Sequence, residues 1–222
     1  MEFLSSLIDI NYTFFKIFGY QMSFIEFFGT ITGLISVWLA TKANIHTWTI
    51  GILNVIAFFI IYYQIQLYSD MFLQVFFFGT SALGIWQWLK KKPINNDKKV
   101  SILKPKSQII ISLSIILLTL ILGYLIARIH IYFPAYFHNP ASFPFPDALT
   151  TVLSIFATFL MAYKRIECWI LWILVDIISI ILYFQKGVLF ISLEYIIFLL
   201  MATSGLFQWL KSIRYAQRIS LR

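Results

Sequence analysis

The sequence is short of charge, of acid and of thiols, and each shortage excludes a class of protein. Only 12% of its 222 residues are charged and 60% are hydrophobic, with a mean hydropathy of +0.85. Soluble domains carry roughly 25% charged residues, so the composition is that of a membrane protein. The single cysteine, Cys168, excludes an internal disulfide and a thiolate cluster. The three histidines, His46, His130 and His138, are scattered and form no metal-ligand spacing. Gly-rich phosphate loops and the Gly-x-Ser-x-Gly motif are both missing, and no in-span serine has a histidine in reach. These absences argue against an enzyme, a primary pump, a metal site and a cofactor. Nine acidic residues against 17 basic ones leave a net charge of +8. The basic residues cluster in short loops between apolar stretches, which is a juxtamembrane pattern and not a nucleic-acid footprint.

What the chain does have is a long internal repeat. Residues 48–90 align with 169–211 without a gap at an offset of 121 positions, carrying Trp48 to Trp169, Tyr62 to Tyr183, Gln64 to Gln185, Phe77 to Phe198 and Gly84 to Gly205. Gln87-Trp88-Leu89-Lys90 becomes Gln208-Trp209-Leu210-Lys211, and further back Glu26 meets Asp147. Each copy holds about three spans of apolar sequence. Repeats of transmembrane helices build many secondary transporters, with the substrate held between the copies near the midplane.

Seven apolar stretches are expected to cross the membrane: 23–41, 47–66, 70–89, 107–132, 147–163, 168–185 and 188–209. The predicted fold is therefore all-α, with seven transmembrane helices in a 3+1+3 arrangement. Three spans per copy is an odd number, so a single linking span is needed to give both copies the same sense. That makes them parallel repeats. The expected segments are an outer amphipathic stretch (1–22), a first three-helix repeat (23–90), a basic cytoplasmic loop, linking helix and outer loop (91–146), a second repeat (147–211) and a basic cytoplasmic tail (212–222). Residues 1–20 lack a signal peptide's basic start and cleavage site and read as an amphipathic helix on the outer face. The 133–147 link, with Pro134, Pro140, Pro144 and Pro146, reads as an ordered, non-helical outer loop. Asn95-Asn96-Asp97 marks a hydrophilic cytoplasmic turn. All Lys and Arg except Lys16, Arg128 and Lys186 fall on one side of this topology. The positive-inside rule then puts the N-terminus outside and the C-terminus in the cytoplasm.

Polar groups within spans are costly and mark candidate contacts. Trp169, Trp172, Asp176, Ser179 and Tyr183 share one face of span six at i, i+3, i+4 spacing. A mid-span carboxylate there can accept ligand hydroxyls or offset a ligand cation, and the indoles can stack on an aromatic ring. The alternative is an interhelical hydrogen bond beneath an interfacial tryptophan belt. Asp176 favours function; for Trp169 the two readings stand level. Span seven adds Glu194, Tyr195 and Phe198. Span three adds Gln74, Phe77 and Ser81, with Asp70 at its outer end reading as a cap or solvated charge. Span two adds Trp48 and Asn54, whose carboxamide suits either a polar ligand or a helix staple. The copies diverge where they are most polar, since Gln74 maps onto Tyr195 and Leu73 onto Glu194.

Several phrases together carry a family resemblance: Trp48-Thr-Ile-Gly51-Ile-Leu-Asn54, Tyr68-Ser-Asp70 with Gln74 after it, Trp169-Ile-Leu-Trp172-Ile-Leu-Val-Asp176, and the two Gly-x-x-Gln-Trp ends. In this order, over residues 23–211, the chain resembles the PnuC-type nicotinamide riboside transporters, relatives of the parallel-repeat SWEET carriers. Ile173 stands where that family has a further aromatic, so that wall is not carried over. The resemblance implies uptake of the NAD precursor nicotinamide riboside by facilitated diffusion across the bacterial inner membrane, with alternating access at a central site. It also implies trapping by a cytoplasmic kinase. The candidate substrate contacts read from the spans are Trp48, Asn54, Gln74, Phe77, Trp169, Trp172, Asp176, Tyr183, Glu194, Tyr195 and Phe198. A flat pyridinium suits aromatic faces through cation–π attraction, and ribose hydroxyls suit amides and carboxylates. The alternative is a carrier for another vitamin precursor, nucleoside or sugar, with proton coupling through Asp176 or Glu194 left open. Expected partners are the small-molecule substrate and membrane lipid; a homo-oligomer is compatible, and nucleic acid is not expected.

Overall fold

The computed structural model describes residues 7–17, 19–64, 68–90, 100–134, 141, 143–185 and 189–220. Among the described residues a two-stranded hairpin, β1 (Thr13–Ile17) and β2 (Tyr20–Ser23), precedes seven helices: α1 (Phe24–Thr41), α2 (His46–Gln64), α3 (Tyr68–Leu89), α4 (Pro105–Tyr132), α5 (Pro144–Ala162), α6 (Glu167–Gln185) and α7 (Leu189–Ser220). Among the described residues six helices are long and apolar enough to cross a membrane: α1, α2, α4, α5, α6 and, over Ser192–Tyr215, α7. The chain divides into two compact units, Met1–Asp97 and Lys98–Arg222.

The first unit corrects one expectation. The region read as an outer amphipathic helix forms an antiparallel hairpin from Thr13 to Ser23. Thr13, Phe14, Phe15 and Ile17 are β-branched or aromatic and favour strand, and Gly19 turns the chain at φ +85°. The hairpin is fixed at both ends. Phe14 meets Phe24 and Phe15 meets Phe27 edge-on, with ring centroids 5.3 and 5.2 Å apart. Gln64, ending α2, accepts from Ile10 N (3.0 Å) and donates to Ile8 O (2.6 Å). At the start of α1, Ser23 and Glu26 make a reciprocal capping box, so Glu26 serves the frame. The same carboxylate accepts from the Tyr20 hydroxyl at 2.9 Å. Burial, then that bond and its charge, push the Tyr20 phenol up to about 12.

Helix α1 is stapled to α2 at two levels. Ser36 and Thr47 exchange hydroxyl-to-carbonyl bonds of 2.9 and 2.8 Å, and Asn54 Nδ2 donates to Gly29 O at 2.7 Å. Helix α2 then packs on α3. In lipid, where hydrophobic attraction between helices is weak, such bonds and small-residue contacts hold helices together.

The second unit packs α4 on α5, α5 on α6 and α6 on α7. Its core joins Ile115 of α4 to Val152 and Leu153 of α5 and Val175 of α6. Pro144 and Pro146, placed in the outer loop by the sequence, lie in the first turn of α5. Proline needs no N–H there, and its fixed φ suits a helix start. Helix α7 runs to Ser220, beyond the expected end at 209, because no Gly or Pro stops it among its Lys, Arg, Gln and Ser residues. Asn95, Asn96, Asp97, His138, Asn139 and Pro140 lie outside the described residues, as does the Asp70 side chain.

The two units share local geometry at positions 121 apart. The turns after α1 and α5 place Ala43 at φ 50° and Lys164 at φ 52°. Asn44 N bonds to Leu39 O at 3.0 Å, as Arg165 N does to Leu160 O at 2.8 Å. Trp48 meets Trp88 edge-on at 5.6 Å and 87°, and Trp169 meets Trp209 at 5.6 Å and 89°.

Candidate functional site

In the second unit the polar face of α6 is built on apolar helix that fixes each side chain in place. Asp176 lies at the middle of Glu167–Gln185 and is 3% exposed. Its carboxylate has no hydrogen-bond or ion-pair partner among the described residues. One turn away on the same face, Ser179 is also buried. Trp172, one turn towards the helix start, packs on the Ile115–Val152–Leu153–Val175 core with its indole Nε1 buried and unpaired among the described residues. Towards the other end, Tyr183 stacks on Tyr195 of α7, with ring centroids 5.5 Å apart and planes 14° off parallel. Tyr195 in turn meets Phe198 edge-on at 6.1 Å and 71°. Glu194 is half-buried beside this aromatic group. The unit thus joins an unpaired carboxylate, an unpaired indole donor and flat aromatic rings along one face. A polar, flat, cationic ligand needs that chemistry.

Trp169 belongs to the packing. It is 0% exposed and seated between Gly205 and Trp209. Trp48 is 5% exposed and holds the equivalent seat in the first unit, against Gly84 and Trp88. In this conformation neither ring presents a face to a ligand.

The first unit distributes its polar groups differently. Asn54 uses its amide donor on Gly29 O, so of its two readings the described contacts support the helix staple. Gln74 is 8% exposed and has no partner among the described residues. It borders a cleft of about 230 Å³ between α2 and α3 whose other walls are Val55, Ile56, Phe59, Val75 and Phe78. Phe77 lies one turn along α3 from Gln74 and meets Phe76 edge-on.

The position-by-position contrast locates the asymmetry. Ser36, Thr47 and Asn54 staple the first unit; their equivalents are Ala157, Cys168 and Val175, all buried and apolar. Asp176 answers to Val55. Ser36, Thr47 and Asn54 hold the frame of the first unit, whereas Asp176 in the second is unspent among the described residues. Sequence reasoning missed the Ser36–Thr47 staple, although two hydroxyls facing one short link were the available signal.

The family model of the nicotinamide mononucleotide transporter matches residues 23–211. The nicotinamide riboside transporter PnuC of Escherichia coli (strain K12) is 34% identical in an alignment 214 residues long that covers 88% of this chain and 89% of that protein. The chain belongs to this family. It is a multi-pass membrane protein of a bacterial transporter family, not an enzyme, as the residue phrases around Trp48 and Trp169 implied. The riboflavin/roseoflavin transporter RibM of Streptomyces davaonensis is 24% identical over 200 residues, 90% of this chain and 91% of that protein. In three dimensions the chain is similar to the crystal structure of the vitamin B3 transporter PnuC. That likeness has a TM-score of 0.64 at 23% identity and covers 85% of this chain and 81% of that one, which establishes the fold.

Proposed function

We propose that the transporter carries nicotinamide riboside across the bacterial inner membrane by facilitated diffusion with alternating access, and that a cytoplasmic kinase traps the product. The proposed frame is two parallel three-helix repeats, α1–α3 and α5–α7, joined by α4, with the N-terminus outside and the C-terminus in the cytoplasm. Supporting the frame are the odd number of helices per repeat, the matching turns at Ala43 and Lys164 and the one-sided Lys and Arg.

The observation that carries the substrate reading is Asp176, buried at mid-helix without a partner among the described residues, between Trp172 and the Tyr183–Tyr195 stack. The pyridinium lies against the aromatic rings, and Asp176 accepts from ribose hydroxyls or offsets the ring's charge. In the second unit Glu194 and Phe198 flank the aromatic end, and in the first unit Gln74 is a separate candidate polar contact. Trp48, Trp169 and Asn54 act one step removed, by fixing the helices that carry these groups.

The second reading is a larger flat vitamin of the riboflavin type, favoured by the likeness to RibM. Calorimetry on the purified protein separates the two. Nicotinamide riboside is expected to bind, with binding lost in Asp176→Ala, and riboflavin is expected not to compete. Tight riboflavin binding without nicotinamide riboside binding would select the second reading.

A further inference from the structure

The second unit carries another polar-ended cleft, at the opposite end of α6 from the Tyr183–Tyr195 stack. It measures about 230 Å³ and is lined by Gln108, Ser112, Ile115, Leu160, Glu167 and Leu171, among others. Glu167, the first residue of α6, supplies its charge. Glu167 Oε1 accepts from Leu103 N at 2.8 Å and from Gln108 Nε2 at 2.9 Å. Glu167 Oε2 is buried with no hydrogen-bond partner among the described residues. A buried acceptor left unpaired is costly, more so when charged, so the cleft is one donor short.

The surroundings identify that donor. The cleft is smaller than the ~300–1,000 Å³ typical of a drug-sized ligand site, which argues against a second vitamin site. A lone carboxylate with an amide and a hydroxyl is not a metal centre, and among the described residues no cluster of His, Cys, Asp or Glu could hold an ion. Apart from Glu167, Gln108 and Ser112 the walls are hydrocarbon side chains, and Ile170 at the rim is 48% exposed. The neighbouring α4 surface, Ile109, Ile110 and Leu113, is more than half exposed and reads as lipid-facing. Exposed Lys104 and Lys106 stand at the start of α4, one turn or less from Gln108. An occupant that brings a cationic donor, a phosphate and hydrocarbon together is a phospholipid with a primary-amine headgroup.

We propose that this cleft seats one ethanolamine phospholipid. Its ammonium donates to Glu167 Oε2, its phosphate lies by Lys104 and Lys106, and an acyl chain follows Ile111, Ile115 and Ile170. The seat sits beside a strap in which residues 101–103 are held to the turn between α5 and α6. Ser101 N bonds to Lys164 O and Ile166 N to Ser101 O, each at 3.1 Å, and Arg165 Nη1 donates to Ser101 Oγ at 2.7 Å. An amine on Oε2 would lock the remaining oxygen of the carboxylate that ties Leu103 down. At the position equivalent to Glu167 the first unit has His46, which supplies no carboxylate.

The test uses the full chain, purified and stripped of lipid in detergent. Native mass spectrometry and thermal melting are followed on adding dioleoyl phosphatidylethanolamine, its trimethylated choline analogue, or dioleoyl phosphatidylglycerol. The ethanolamine lipid is expected to be retained at least threefold better than either other lipid and to raise the melting temperature most. Glu167→Gln should erase the preference while leaving nicotinamide riboside affinity intact. Ser112→Phe, which fills the cleft from an exposed position, should do the same with the carboxylate in place. Equal retention of the ethanolamine and choline lipids by the wild type would overturn the proposal. So would a surviving preference in both variants, or a preference for the glycerol lipid.

Discussion

Trp169 lies directly against Gly205, so that a β-carbon on the glycine would meet the indole at 2.7 Å. Trp48 lies against Gly84 in the same way. Each indole also meets a second tryptophan edge-on, Trp209 and Trp88 respectively. These seats fix α6 on α7 and α2 on α3 by contact alone, since both indole Nε1 atoms are buried and unpaired among the described residues. Close approach at a glycine is how membrane helices gain packing where hydrophobic attraction between them is weak.

The first prediction follows from that contact. Gly205→Ala and Gly84→Ala should each lower the melting temperature of the purified protein, at an overpacking cost of about 1–3 kcal/mol. Gly79→Ala is the control, since a β-carbon there meets nothing within 4 Å and helix propensity favours alanine by up to ~1 kcal/mol. If all three variants melt alike, the indole seats do not carry the packing.

A second prediction separates the amide from the carboxylate. Asn54→Ala removes the bond to Gly29 O and should cost stability of about 1 kcal/mol while leaving substrate affinity within about twofold. A tenfold loss of affinity at unchanged stability would move Asn54 from the frame to the ligand.

The third concerns the charge on α6. Asp176→Ala should abolish binding. Asp176→Asn should retain part of it if the group only accepts hydroxyls, and should fail equally if it offsets the pyridinium. Calorimetry at fixed pH reads the difference, and wild-type affinity in both variants would remove Asp176 from the site.

Topology gives a fourth prediction. The native thiol, Cys168, is fully buried, so added cysteines report cleanly. A cysteine at Gln21 on the exposed hairpin should react with an impermeant maleimide only from outside, and one at Lys211 only from the cytoplasmic side. Labelling of both from the same face would break the orientation drawn from Lys and Arg.

Helix positions were legible in the sequence because apolar runs bounded by Lys-rich or polar links have few other solutions in lipid. α1, α2 and α6 begin and end within about two residues of the expected spans. The hairpin was not legible as such: Phe14, Phe15 and Ile17 suit an amphipathic helix as well as a strand, and Gln64 pins Ile8 and Ile10 from more than fifty residues away. The candidate face on α6 could be read from spacing, since Trp172, Asp176, Ser179 and Tyr183 fall on one side of any helix. Whether Asn54 spends its amide on a neighbour, or Trp169 closes over Gly205, depends on which helices pack together, and periodicity holds no record of that.

Facilitated diffusion of nicotinamide riboside is decided by equilibration of the labelled compound across protein-loaded vesicles with no pH, sodium or voltage gradient. Uptake is expected to be saturable and to stop at equal concentrations, with exchange of internal label for external unlabelled substrate and accumulation only when a kinase and ATP are enclosed. Gradient-driven accumulation of the free riboside without kinase would contradict facilitated diffusion. An absence of saturable uptake would contradict the substrate itself.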